Sequence, residues 1–398
     1  MSFILHTNHT FLLVSQNNKY GLFCQLFTAN GVTRPLSLQP TATSYYSATL
    51  DADGNPHIVC LPTSYKLTYF YYENSHFLKK NLVELPSDTT TLSWPLIHFL
   101  GGTIHLFYLT YKASSHMYAF LHTQLDSNKT EILFETSSMP QLFKSSSSDD
   151  KIYIFYVLSQ PTPCIRCLEF GPSGLNQQNL LTCATPLVDY SFCFYEGDLH
   201  LCYVTEENSQ YALYYTEPAQ EVLTLISTTV SSPMPTLFGY YHQLWLNTLN
   251  ANKLHVQLSV DGGQSFSVTV PSSLQGSTSR YIFISSEKFM LDVYEVYASI
   301  QNTIRISTLA ALDIEHIHYD TELPIELELL LEGLRLSSSS CSQANSLALE
   351  NAQLKGTLAN LEAKLARPSE PPRPSTTVHS ATAAFMKEMP QWDVPPLI

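Results

Sequence analysis

Charged side chains make up only 14% of the 398 residues, against about 25% in an ordinary soluble chain. Basic ones are the scarcer: 20 Lys and Arg face 34 Asp and Glu, for a net charge of −14. With so little positive surface, counterion release from a phosphate backbone has little to draw on, and no nucleic-acid partner is expected. Glycine is also short, at 14 residues, and none falls in the GxxxxGK or GxGxxG spacing that cradles a phosphate. A Gly-x-Ser-x-Gly elbow is missing too. These gaps leave no expected cofactor, metal or catalytic residue. No apolar run reaches the roughly 18 residues of a membrane span, and Met1–Ser15 has neither a basic start nor a small-residue cleavage site. The expected compartment is therefore cytoplasmic. Seven cysteines (Cys24, Cys60, Cys164, Cys167, Cys183, Cys193 and Cys202) precede a late eighth, Cys341. Most lie inside apolar runs, where a thiol behaves as a small hydrophobe, and they are read as reduced.

What is abundant is aromatic: 24 Tyr and 20 Phe within an apolar fraction of 44%. This material recurs with a period. Short apolar strands after polar turns (HTFLLV, NPHIVCL, GTIHLFYL, DKIYIFYV, GDLHLCYV, HQLWLNT, EKFMLDVY) give the anchors Leu12, His57, His105, Tyr153, His200, Trp245 and Met290. Their steps are 45, 48, 48, 47, 45 and 45 residues, the period of propeller blades. Upstream of most anchors a proline opens another apolar run, at Pro95, Pro140, Pro186 and Pro235. Downstream come a Tyr- and Leu-rich third strand and a weaker fourth. Four antiparallel strands per repeat predict an all-β fold, a seven-bladed β-propeller over residues 1–320, with six blades as the runner-up. The first repeat is complete with Ser2–His6 as its inner strand, and the last requires Asp313–Tyr319 as its outer one.

In the sixth repeat the turn between strands three and four reads Ser259-Val260-Asp261-Gly262-Gly263-Gln264-Ser265-Phe266. This resembles the Asp-box of the BNR-repeat, sialidase-like propeller superfamily, with Ser259, Asp261, Gly263, Ser265 and Phe266 at its defining positions. The residue types suit a local role: a carboxylate that caps its own turn, a glycine free to take positive φ, and an aromatic that pins the hairpin. The resemblance invites a sialidase reading, which requires three convergent arginines and a Tyr/Glu nucleophile pair. Only Arg34, Arg166, Arg280 and Arg305 are available in the repeat region, so no enzyme is expected. His57, His105 and His200 share one strand position and are read as repeated structural hydrogen bonders. Cys164 and Cys167 face opposite sides of a strand and are read as structural rather than a zinc knuckle.

The periodicity changes after Leu323. Residues 321–366 read as a helical coiled-coil segment, with a seam of Leu347, Asn351, Leu354, Leu358, Leu361 and Leu365 at alternating steps of 4 and 3. A Pro-rich linker and tail occupy 367–398, where Phe385, Met389 and Trp392 form a possible docking tip. The functional expectation is a non-catalytic scaffold. It uses a propeller face to bind a protein partner or a glycan and self-associates as a homodimer through the coil. The alternative is a glycan-binding or glycan-hydrolysing protein.

Overall fold

The computed structural model describes residues 1–313 apart from 8, 9, 29, 65, 83–88, 149, 221, 241, 242, 268, 273, 275, 276, 287–290 and 308–311. The chain divides into two bodies, Met1–Ser338 and Ser339–Ile398. The coiled-coil seam, the tail and Cys341 all lie outside the described residues. Among those described, regular structure is entirely β, and no helix is long and apolar enough to cross a membrane.

Repeats two to five are each one four-stranded antiparallel sheet in chain order: 42–81, 89–136, 141–182 and 187–229. The sixth, 234–271, has four strands and borrows a fifth, Leu291–Val293, beside its inner strand Met234–Tyr240. The first and seventh repeats share one nine-stranded sheet. Their inner strands, Ser2–Thr7 and Thr278–Ser285, pair in parallel from Ser2↔Tyr281 to His6↔Ser285. Asp313 belongs to the outer strand of the last repeat, Leu312–Asp313, and the rest of the expected 313–319 strand lies outside the described residues.

Hydrogen bonds trace the circuit. Ser2 meets Tyr46 (3.3 Å), the Ile97 N–H donates to Ser47 Oγ (3.2 Å), and His98 meets Ser145 (2.8 Å). Lys144 donates to the Tyr190 carbonyl, the Leu237 N–H to Ser191 Oγ (3.1 Å), and Arg280 to the Pro235 carbonyl (3.2 Å). Each link joins neighbouring inner strands, and the Ser2–Tyr281 pairing closes the loop. A closed circuit of radial antiparallel sheets is a β-propeller arrangement.

The second strands explain why the chain folds this way. Thr103–Lys112 and Lys151–Leu158 are buried on almost every residue, because each sheet is covered on both faces by its neighbours. Six anchors, Leu12, His57, His105, Tyr153, His200 and Trp245, sit on these strands; Met290 lies outside the described residues, and the rest of its expected strand, Leu291–Val293, joins the sixth repeat's sheet, so that the last repeat's second strand is Glu295–Ile300 instead. The core is a set of layers between sheets, such as Val59, Leu61 and Tyr69 against Ile97, Leu106 and Tyr108. Tyrosine is largely spent there. Tyr108, Tyr156, Tyr190, Tyr215 and Tyr297 are among the largest fully buried side chains. Two-residue loops with positive φ at both positions (Asn74–Ser75, Asn208–Ser209, Ala251–Asn252) connect strands in the manner of type I′ hairpins.

Candidate functional site

The inner strands begin irregularly. Register shifts fall between Ala42 and Tyr46, Ser93 and Leu96, Gln141 and Lys144, and Leu187 and Asp189. A bulge lets a strand re-aim the side chains that follow it. Pro95 therefore lies inside its strand, Thr89–Leu100, at a bulge, where its missing N–H costs no ladder bond; the sequence had suggested that it opens the strand. Two of these bulges deliver a charged residue, Lys144 and Asp189, into the ring of inner strands.

Lys144 Nζ donates to Glu295 Oε2 at 2.6 Å and to the Tyr190 carbonyl, and lies 3.7 Å from Asp189 Oδ1. Arg280 donates to Asp189 Oδ2 at 2.7 Å, and its Nε is 3.8 Å from Glu295 Oε1. Glu295 is 0% exposed and Lys144 3%. Two cations and two carboxylates thus neutralise one another across the fourth, fifth and seventh repeats. Burial disfavours the Arg280 guanidinium, yet Glu295 and Asp189 outweigh it and raise its pKa above the ordinary value. Tyr294, next to Glu295, accepts a hydrogen bond from the Ser145 N–H (3.2 Å) and stacks on Phe192 at 4.7 Å between centroids. Burial raises its phenol pKa. A Tyr nucleophile needs the reverse, a phenol eased toward its anion by an available base.

Beside this cluster a cavity of about 100 Å³ is lined by Phe3, Tyr46, Ser47, Trp94, His98 and Tyr294 from four repeats. Of the four arginines only Arg280 belongs to this centre, within the inner strand Thr278–Ser285; Arg34 and Arg305 are exposed, and Arg166 lies on the third strand of repeat four. Sequence alone singled out neither Lys144 nor Asp189, and Glu295 beside Tyr294 carried little information in a chain so rich in tyrosine. A signal was present: Lys144 and Asp189 are the lone charges of their inner strands, a few residues after Pro140 and Pro186.

The Asp-box residues come together on the hairpin after Lys253–Ser259. Asp261 Oδ1 accepts from Ser259 Oγ (2.8 Å) and the Ser265 N–H (2.9 Å), Oδ2 accepts from Ser265 Oγ (2.6 Å), and the Gly263 N–H donates to Ser259 Oγ (2.8 Å). Phe266 packs edge-on against Tyr215 of the neighbouring repeat at 5.2 Å. Gly263 has φ +93, and a Cβ there would lie 2.0 Å from the Tyr215 ring, so only glycine fits. Tyr215 donates to the Gly262 carbonyl (2.9 Å) and meets His200 Nδ1 (2.6 Å). His57 meets Tyr69 (2.5 Å) and His105 meets His122 (2.8 Å) in the same way. In each case the partner lies two residues before the one directly opposite on the third strand. Cys164 and Cys167 point into different inter-sheet layers. No group of three or more His, Cys, Asp or Glu able to hold a metal occurs among the described residues.

A larger concavity, about 450 Å³, opens between the first and second repeats. Leu26 and Leu36 form one wall, Tyr72 and Phe77 the other, and Thr7, Asp53 and Asn55 the inner end. Its size falls within the usual range for small-molecule sites.

No family model and no curated protein matches the sequence. Among solved structures the chain is similar to the polysaccharide lyase Uly1, at 11% identity and TM-score 0.46 over 78% of this chain and 87% of that one. It is similar to a protein from Lactobacillus plantarum at 10% identity and TM-score 0.44, covering 81% and 95% of the two chains. A third likeness is to the Aleuria aurantia lectin, a six-bladed β-propeller with a novel fucose recognition mode, at 10% identity and TM-score 0.40 over 68% and 94%.

Proposed function

We propose that this chain is a non-catalytic binding and scaffolding protein of the cytoplasm. It is built as seven blades, the first and last joined through their inner strands. The observation that carries this reading is the state of the axial charges. Lys144, Asp189 and Glu295 are buried, Arg280 is half-buried, and the four pair with one another, Glu295 through Oε2 to Lys144 while its Oε1 accepts no hydrogen bond; both cations are thus already neutralised where a substrate carboxylate would need them. An incoming anion would have to break a buried pair, at a cost of several kcal/mol. The cleft between repeats one and two is a concavity open to a ligand. The scaffold element is the seam from Leu347 to Leu365, through which copies associate. Asp261 and its Asp-box partners serve the fold, and Phe385, Met389 and Trp392 dock onto another protein.

The full chain, held at micromolar concentration with a fluorogenic sialoside, is expected to release nothing. Turnover that disappears in Arg280→Lys would overturn the non-catalytic reading. By light scattering the chain is expected to form a larger species as concentration rises, and removing 337–398 to abolish it. Monomeric behaviour at every concentration would remove the scaffold part.

A further inference from the structure

We propose that the cleft between the first and second repeats binds a neutral saccharide. This rests on the binding-protein reading and gives its ligand a chemical class.

The loop at the inner end of the cleft is held before any ligand arrives. Asp51 Oδ1 accepts from the Asp53 N–H (3.0 Å) and the Asn55 N–H (2.7 Å), and Oδ2 accepts from Asn55 Nδ2 (3.1 Å). Asp51 also exchanges backbone bonds with Asn55 (3.0 Å) and Gly54 (3.1 Å), and His57 Nε2 lies 3.2 Å from its carboxylate. Gly54 takes φ +79, and a Cβ there would meet Thr7 Oγ1 at 2.2 Å. The loop therefore presents Asp53 and Asn55 from a fixed backbone, which lowers the ordering cost of binding.

Thr7 Oγ1 is buried and has no hydrogen-bond partner among the described residues, although it lines the cleft. Tyr72 is 38% exposed, with the Phe77 ring edge-on at 5.2 Å, so the outer wall offers aromatic surface to the C–H face of a sugar ring. Thr10, Asn55 and Ser75 add hydroxyl and amide groups around that apolar body. An apolar body with a few fixed polar groups suits a polyhydroxylated ring better than a wholly apolar ligand.

Charge disfavours an anionic ligand. Neither Lys nor Arg lines the cleft, Asp53 is its carboxylate, and the protein carries −14 overall. A uronic or sialic acid would enter with its charge unpaired and beside a like charge.

The test titrates the full chain with glucose, galactose, mannose, fucose and N-acetylglucosamine, and with glucuronic acid, sialic acid and choline as charged comparators. Saturation-transfer NMR and calorimetry read binding. At least one neutral sugar is expected to saturate, with affinity falling tenfold or more in Tyr72→Ala and Asn55→Ala. Tyr72 is exposed on the outer wall and Asn55 half-buried at the inner end, where its amide also bonds Asp51, so thermal melts check that both variants fold. Val230→Ala, at an 84% exposed position just past the outer strand of repeat five, is expected to leave binding unchanged. The proposal is overturned if no neutral sugar binds, if Tyr72→Ala and Asn55→Ala bind as well as wild type, or if only charged probes bind. A fluorinated fragment library run in parallel separates the two readings. Fragments displaced by Tyr72→Ala while no sugar binds would overturn the saccharide and leave the binding cleft. Neither fragments nor sugars binding would overturn both.

Discussion

Single residues in this molecule mostly act on close neighbours. Asp261 holds its turn through three hydrogen bonds from Ser259 and Ser265. Asp261→Ala is expected to lower stability by about 1–2 kcal/mol, read as a lower melting temperature, without touching binding in the cleft. An unchanged melt with lost binding would contradict a structural role. The buried histidines act in concert through pH. Burial, helped by His105, lowers the pKa of His98 to about 3, and burial lowers those of His105, His122 and His200 as well. Their folded pKa values lie below the ordinary 6.5, so on acidification the unfolded chain takes up protons before the folded one does. Stability is complete above about pH 6.5 and falls as the pH drops toward the folded values. Each histidine contributes up to about 1.4 kcal/mol per pH unit in that window. Urea midpoints at pH 7.5, 6 and 5 should fall in that order, and a flat profile would contradict the assignment. The Asp-box was readable because its bonds span two to four residues. His122 and Tyr215, the partners of His105 and His200, were not, because strand register selects them.

At the scale of strands, the period was readable because propeller second strands are buried on both faces and so are apolar throughout. The starts of the inner strands were not. Pro95 marks a bulge within Thr89–Leu100, whereas Pro140 and Pro186 stand just outside their strands. The pairing sheet decides between these outcomes, and proline alone carries no register. Cysteines inside strands give a direct check. Burial raises the thiol pKa of Cys24, Cys60, Cys167 and Cys183 to about 12, and all seven described cysteines are buried thiols outside any disulfide. The thiolate is the reactive form, so at most one of the eight thiols is expected to react promptly with a disulfide reagent in the native state, and all eight after denaturation. Prompt labelling of two or more would show that inter-sheet layers open.

The whole molecule depends on contacts with no local trace. Lys144 and Glu295 are 151 residues apart, and Ser2 pairs with Tyr281 across nearly the whole repeat array. Composition and period announce repeats, but they do not say that the first and last share one sheet or that four charges meet where the inner strands converge. The cleft was equally hidden, since its walls come from two repeats and no motif marks it. The axial charges are the feature on which the non-catalytic reading rests, and they are also where a single substitution should cost most. Removing one partner leaves a buried charge unpaired, worth about 3–5 kcal/mol, whereas replacing the pair by apolar side chains is often close to neutral. Arg280 and Asp189 would still neutralise each other in a chain lacking Lys144 and Glu295.

The most direct measurement is a double-mutant cycle on that pair, following urea unfolding of Lys144→Met, Glu295→Leu and the double variant. The expected result is a loss of about 3–5 kcal/mol in each single variant and a double variant within about 1 kcal/mol of wild type, with cleft binding retained throughout. Single variants as stable as wild type that have lost an activity would contradict it, because the charges would then be serving a substrate rather than holding the ring.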